Sequence, residues 1–305
     1  MQGLLLALAA YTIWGCFPLF FNLLGHVSSV EVLANRIIWS MLVTMLVILV
    51  LGKRDSFIRL LKDPVLMRWL ALTSLLISAN WLIFIWAVAQ HRVMEASLGY
   101  YMTPLVSLLL ARVLLKEALH PLQAVAGGLA AVAVGWELFS LGSFPWVSLS
   151  LALSFGFYGL VRKRYPVDGL NGLTVETMLI FPLALSWLAW QFMSPAYQLD
   201  FGGDLTTTLL LIASGIMTAI PLLLFAAAAK RLDLSVVGFI MYINPTMQFL
   251  IAVLIFKEDF PPQRLVTFLF IWTALVLFMW GMWMANKQSA TNDKLKITTE
   301  SLSKE

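Results

Sequence analysis

The sequence predicts an all-α integral membrane protein, with ten transmembrane helices arranged as two inverted five-helix repeats. Three observations predict it. The 305 residues are 61% hydrophobic and only 12% charged, against roughly 45–50% and 25% in soluble globular chains. So few charges cannot cover a soluble surface, which excludes secreted-soluble, disordered and nucleic-acid-binding classes. Apolar stretches of the ~20 residues that a helix needs to cross a ~30 Å hydrocarbon layer recur along the whole chain. The chain also matches itself when shifted by 141 positions. A lone Cys16 excludes a disulfide framework, and the scattered His26, His91 and His120 argue against a histidine metal site. No cofactor is expected.

The first span, 3–22, lacks a basic leader and an A-x-A-like cleavage site, so it reads as a retained helix rather than a signal peptide. The second is 29–51. The polar loop that follows, 52–67, carries the amphipathic stretch Ser56-Phe57-Ile58-Arg59-Leu60-Leu61-Lys62, which reads as a short helix lying on the membrane surface. Spans 68–90, 94–115 and 122–141 complete the first half, and 144–161, 170–193, 206–229, 235–256 and 263–285 make the second. A strand barrel would show alternating segments of ~10 residues instead. Residues 287–305 are polar without an apolar face and read as a disordered cytoplasmic tail. Lysine and arginine concentrate in the even-numbered loops, for example Lys53, Arg54, Arg162, Lys163, Arg164 and Arg231. The odd-numbered loops hold only Arg92, Lys257 and Arg264. The positive-inside bias therefore puts both termini in the cytoplasm.

The repeat is carried by identities in register. Tyr101, Pro104, Lys116, Glu117 and Pro121 fall on Tyr242, Pro245, Lys257, Glu258 and Pro262. Leu82, Phe84 and Ala87 fall on Leu223, Phe225 and Ala228. Residues 1–141 and 142–286 thus read as two copies of one unit. A unit with an odd number of crossings, repeated once, inserts its second copy upside down. Inverted repeats place a binding site near the bilayer midplane, between halves that rock against each other.

Two five-helix halves ending near Lys116-Glu117 and Lys257-Glu258 resemble the paired EamA units of the drug/metabolite transporter (DMT) superfamily. The runs Asn80-Trp81-Leu82-Ile83-Phe84-Ile85-Trp86-Ala87-Val88 and Met94-Glu95-Ala96-Ser97-Leu98-Gly99-Tyr100 sharpen the match. With Pro104-Leu105-Val106, Asn35-Arg36-Ile37-Ile38-Trp39-Ser40 and Phe157-Tyr158-Gly159-Leu160-Val161-Arg162-Lys163, the chain closely resembles the RarD subfamily. That resemblance implies a ten-helix secondary carrier of the bacterial inner membrane, in a subfamily described as chloramphenicol-sensitivity proteins. One departure is Lys116, where the family usually has Gly before the Glu that ends the fourth span.

Ionisable residues within spans are functional candidates, since each costs ~2.5–3.5 kcal/mol at mid-helix even on lenient scales. Four qualify: Arg36, Glu95, Glu137 and Glu176. Arg36 lies ~10 Å below the outer boundary, at a depth nearer Glu137 and Glu95 than Glu176. It is expected to pair with one of those two, to snorkel outward, or to bind an anion or substrate. Glu95 suits the dipole of its helix's first turn, and Glu137 has the option of snorkelling. Glu176, in the register of Asn35, reads either as a cavity-facing carboxylate or as an interfacial one. With Glu137, it is the natural proton carrier if protons drive transport.

Asn80, Tyr101, Pro104, Pro182, Pro221, Tyr242, Asn244 and Pro245 fall near mid-span. The recurring Tyr-x-x-Pro reads as paired kinks lining one cavity, where each proline frees a carbonyl. Trp14, Trp39, Trp81 and Trp86 are expected to wall an aromatic pocket, while Trp69, Trp146 and Trp283 read as interface anchors. Gly127, Ala131 and Gly135 form a small-residue stripe for internal helix packing, or for a homodimer. No Gly-x-x-x-x-Gly-Lys-Ser/Thr loop occurs, so this chain does not itself pump with ATP. The expectation is an alternating-access carrier, embedded in lipid, that exports a small metabolite or drug. An importer or facilitator of amino-acid-like solutes is the alternative within transport. A polytopic membrane enzyme is the alternative outside it, disfavoured by the sparse His and Asp.

Overall fold

A computed structural model of the chain describes residues 2–114, 116, 120–141, 144–194, 199–229, 231–232 and 240–302, with backbone alone at 111, 141, 229 and 285–302. Regular structure among the described residues is helical throughout. The first span is α1 (Gln2–Gly15) and α2 (Phe17–Asn22), broken at Cys16. Pro18 causes the break, because it has no N–H to give the Trp14 carbonyl. Then come α3 (Ser29–Val50), α4 (Arg54–Leu61), α5 (Pro64–Ala89), α6 (Val93–Leu114) and α7 (Pro121–Leu141). The second half holds α8 (Trp146–Arg164), α9 (Gly169–Met193), α10 (Leu205–Ala229), α11 (Ile243–Leu250) with a π-helical turn at Ile251–Ile255, and α12 (Pro262–Leu302).

Helix ends follow from local chemistry. Asp63 precedes Pro64, and its carboxylate accepts from the amides of Val65 and Leu66 at 2.9 and 3.0 Å; both features favour a helix start. Asp204 accepts from the Thr207 amide at 2.9 Å before α10. Hydrogen bonds from Thr207 hold its carboxyl below the usual carboxylate range. Lys116 and Lys257 take φ of 57° and 53°. This left-handed backbone explains why a glycine suits the position where Lys116 departs from the family pattern.

Eight described helical stretches are long and apolar enough to cross a membrane. They correspond to predicted spans one to five, seven, eight and ten. The sixth is the 19-residue α8, whose last turn is Arg162, Lys163 and Arg164. The ninth is α11 with its π turn; the start of that predicted span lies outside the described residues. Phe139 is 86% and Phe192 81% exposed, faces that suit hydrocarbon and would be a liability in water. The fold is an all-α, multi-pass membrane fold.

Four sequence expectations change. Although α4 is amphipathic, its Phe57 and Leu60 are buried against Ile48, Leu70, Leu170 and Val175. Its apolar face therefore packs on protein rather than resting on the membrane surface. α12 runs on to Leu302, where 287–305 read as disordered; no Pro or Gly follows Gly281 to stop it. Tyr242 precedes α11 and Pro245 lies in its first turn, where the missing N–H costs nothing, so Pro245 is not a mid-helix kink. On α7 the buried stripe is Ala126, Ala130, Ala133 and Glu137. A Cβ added at Gly127, Gly128 or Gly135 would meet nothing within 4 Å, so these glycines are not the packing surface.

Two compact units emerge, Met1–Tyr100 with Trp146–Asp259, and Tyr101–Pro145 with Phe260–Glu305. Each draws on both halves of the sequence. In the first unit α1 packs on α10, α8 on α5, α3 on α9 and α10, and α9 on α5. In the second, α7 lies along α12.

Candidate functional site

Arg36 on α3 is 3% exposed. Its Nε donates to the Thr218 hydroxyl of α10 at 2.8 Å, and that hydroxyl donates on to the Ser214 carbonyl at 3.0 Å. The guanidinium carbon lies 4.1 Å from the Trp81 ring centre, 5.3 Å from Phe21 and 5.5 Å from Phe17. Such faces attract a cation through the ring quadrupole. Nη1 is buried without a hydrogen-bond partner. Among the described residues no carboxylate comes within salt-bridge distance of Arg36.

Helices α3 and α10 meet here because Gly215 has no side chain. A Cβ there would lie 2.4 Å from the Trp39 backbone carbon and 2.5 Å from the Ser40 nitrogen. One residue before Trp81, Asn80 on α5 donates to Ser154 Oγ at 2.9 Å and to the Leu151 carbonyl at 3.1 Å. Its own amide oxygen accepts from Tyr100 Oη at 3.1 Å, and Tyr100 is within electrostatic reach of Arg36. Asn80, Trp81 and Arg36 therefore belong to one cluster.

The expected pairing of Arg36 with Glu137 or Glu95 does not occur, because each acid has a nearer base. Arg92 lies three residues before Glu95 and grips it with two 2.8 Å bonds. Glu137 accepts from Arg264 at 3.2 Å and from the Thr267 hydroxyl, within the second unit. Glu176 is buried. It accepts from Thr73 Oγ1 at 2.7 Å and Tyr158 Oη at 3.4 Å, with Arg162 Nη1 at 3.7 Å. It sits inside an ion pair rather than at an interface.

The remaining candidates are spread out. Tyr101 is buried against Phe268 and Trp272 at 6.2 and 6.3 Å in the second unit, which also holds Pro104 within α6. Tyr242 belongs to the first unit. Asn244 accepts from Gln248 at 2.7 Å, and the Pro245 carbonyl accepts from Ser97 Oγ at 2.8 Å. Trp14 packs edge-on to Tyr11 at 5.3 Å and lies 6.0 Å from Phe225. Trp39 lies 6.4 Å from Phe201. Trp86 meets Trp146 at 5.0 Å beside Arg92, and Trp69 stacks on Tyr165 at 4.6 Å. Of the four tryptophans expected to wall one pocket, only Trp81 packs against Arg36.

Sequence reasoning missed Thr218, Tyr100, Phe17 and Phe21 at Arg36, and Thr73 and Arg162 at Glu176. It also missed the role of Glu258, although the repeated Lys-Glu pair pointed there. The Glu258 carboxylate accepts from the Val93 and Met94 amides at 2.7 and 2.8 Å, capping α6. Among the described residues no group of three or more His, Cys, Asp or Glu could hold a metal ion.

Known proteins place this geometry in a family. The model of the EamA-like transporter family matches residues 1–136. An uncharacterized transporter of Vibrio cholerae is 44% identical over 278 residues, 91% of each chain. Protein RarD of Escherichia coli K12 is 43% identical over 279 residues, 91% of this chain and 94% of that one. A Pseudomonas aeruginosa protein named chloramphenicol-sensitive protein RarD is 35% identical over 285 residues, 92% of this chain and 94% of its own. A protein of known crystal structure, 18% identical, shares the fold with a TM-score of 0.58 over 90% of this chain and 96% of that one. The chain is thus a multi-pass transporter of the bacterial inner membrane rather than an enzyme, and it belongs to the EamA-like family of the drug/metabolite transporter superfamily as a RarD-type member.

Proposed function

We propose that this secondary transporter works by alternating access, exporting a small metabolite or drug, with residues 1–141 and 142–286 as inverted repeats and both termini cytoplasmic. One observation carries the reading: the halves exchange helices in matched pairs. Under the 141-residue shift α1 corresponds to α8, α3 to α9, α5 to α10 and α7 to α12. α1 packs on α10, and the counterpart pair, α8 on α5, packs as well. α3 packs on α10, and its counterpart α9 packs on α5. The pairs α3–α9 and α7–α12 map onto themselves. That reciprocity supports a pseudo-two-fold axis, which five crossings per unit would lay in the membrane plane.

In this reading Asn80 and Trp81 face the substrate, on helices that take part in the exchange. Solute counterflow tests it. Proteoliposomes containing the folded chain are loaded with a broad metabolite library, and labelled solutes including chloramphenicol are offered outside. Saturable exchange stimulated by internal solute is expected. Absence of exchange for every solute overturns the carrier mechanism. Impermeant labelling that puts the loops around Arg92 and Lys163 on the same side overturns the inverted arrangement.

A further inference from the structure

We propose that Arg36 is the binding group for an anionic moiety, a carboxylate or phosphate carried on a flat apolar body, in the solute this protein transports. The inference rests on the carrier reading and names the substrate class of the same site. A buried cation is tolerated when it is paired and its donors are satisfied. The buried carboxylate Glu176 has a charge partner in Arg162 at 3.7 Å and accepts from Thr73 and Tyr158. Arg36 has no such partner: Thr218 takes Nε, Nη1 has no acceptor, and no carboxylate is in range among the described residues.

The aromatic faces of Trp81, Phe21 and Phe17 stabilise the positive charge without neutralising it. A planar guanidinium with an open N–H edge is the side chain best matched to carboxylate or phosphate oxygens. The surroundings specify the rest of the ligand. Trp81 and Tyr100, unlike Arg36 itself, are only partly buried, which leaves part of each side chain for an apolar ligand body to touch. Asn80 spends its N–H groups on Ser154 and the Leu151 carbonyl and its oxygen on the Tyr100 hydroxyl, which anchors the Tyr100 side chain.

The test uses the full chain purified in a neutral detergent, with binding read by thermal shift and calorimetry. The probes are 3-phenylpropionate, phenyl phosphate, inorganic phosphate and the neutral amide 3-phenylpropionamide. At least one aryl anion is expected to bind the wild type tenfold or more tightly than the neutral amide. Arg36→Met should lose that preference, and Arg36→Lys should retain part of it. Arg36→Met removes a buried charge without stranding a partner, so it folds; circular dichroism and size exclusion check this, and Thr218→Val, expected to weaken the aryl anion several-fold, gives a second reading.

Equal binding of anion and amide overturns the proposal, as does anion binding unchanged in Arg36→Met. A phospholipid supplies the same phosphate chemistry. Arg36-dependent binding of phosphatidylglycerol vesicles without binding of any soluble anion also overturns it. Counterflow separates the two levels of inference. Exchange of neutral solutes that is unchanged in Arg36→Met sinks the anion proposal and leaves the carrier standing. Arg36-dependent anion binding without exchange of any solute does the reverse.

Discussion

Under the 141-residue shift Arg36 on α3 and Glu176 on α9 stand one residue apart in register, yet one charge is paired and the other is not. Glu176 has a hydroxyl from α5, a phenol from α8 and the Arg162 guanidinium. Arg36 has one hydroxyl, three aromatic faces and an unpaired N–H. Similar positions in the sequence thus carry different electrostatics. On the proposal above, the difference separates a charge that holds helices together from one that is held ready for a solute.

The largest expected effect breaks the paired side. Glu176→Leu strands Arg162 and should cost about 3–5 kcal/mol of stability, read by thermal or denaturant unfolding in detergent. The double variant Glu176→Leu/Arg162→Leu should recover most of it. Arg36→Met should cost less than about 1 kcal/mol, because no partner is left stranded. Similar losses for the two single variants would erase the distinction.

Next come the hydroxyls. Thr73→Val and Thr218→Val each remove a hydrogen bond to a charged group, about 1.5–3 kcal/mol. Thr73→Val should show up mainly in unfolding, since Glu176 keeps its other partners. Thr218→Val should show up in transport as a raised KM as well, because it frees the only hydrogen-bonded nitrogen of Arg36 found among the described residues.

Two glycines sharpen the comparison further. A Cβ at Gly215 meets the backbone of α3, whereas one at Gly172 meets the tip of the Arg162 side chain at 2.2 Å. Gly215→Ala should cost about 1–3 kcal/mol and impair transport by prising α10 off α3. Gly172→Ala should instead displace the Arg162 guanidinium from Glu176, and so lower stability without prising α10 off α3. The smallest effect is expected away from both sites. Lys257→Gly relieves a left-handed lysine and should raise stability by about 0.5–1 kcal/mol, with transport unchanged.

The spans were legible because apolar length is a property of consecutive residues. The recurrence of Tyr101, Pro104, Lys116 and Glu117 in order at Tyr242, Pro245, Lys257 and Glu258 is what suggests a repeat. Charge pairing was not legible. Depth in the bilayer is one coordinate, and it put Arg36 level with Glu95 and Glu137; the lateral coordinates, which the sequence does not carry, gave those acids to Arg92 and Arg264. The amphipathic pattern of α4 was visible, but hydrophobicity does not say whether the facing surface is lipid or protein. Thr218 had no local signal at all, being an ordinary threonine within an apolar run.

The distance along the chain between Arg36 and Thr218 has a consequence for biosynthesis. The two residues are 182 positions apart, and a bacterial ribosome adding roughly 5–20 residues per second needs about 10–40 s to bridge them. For that interval α3 waits in or beside the insertion machinery with its arginine unsupported by α10. The nascent protein therefore depends on water, lipid headgroups or the translocon to shelter one cation until α10 arrives.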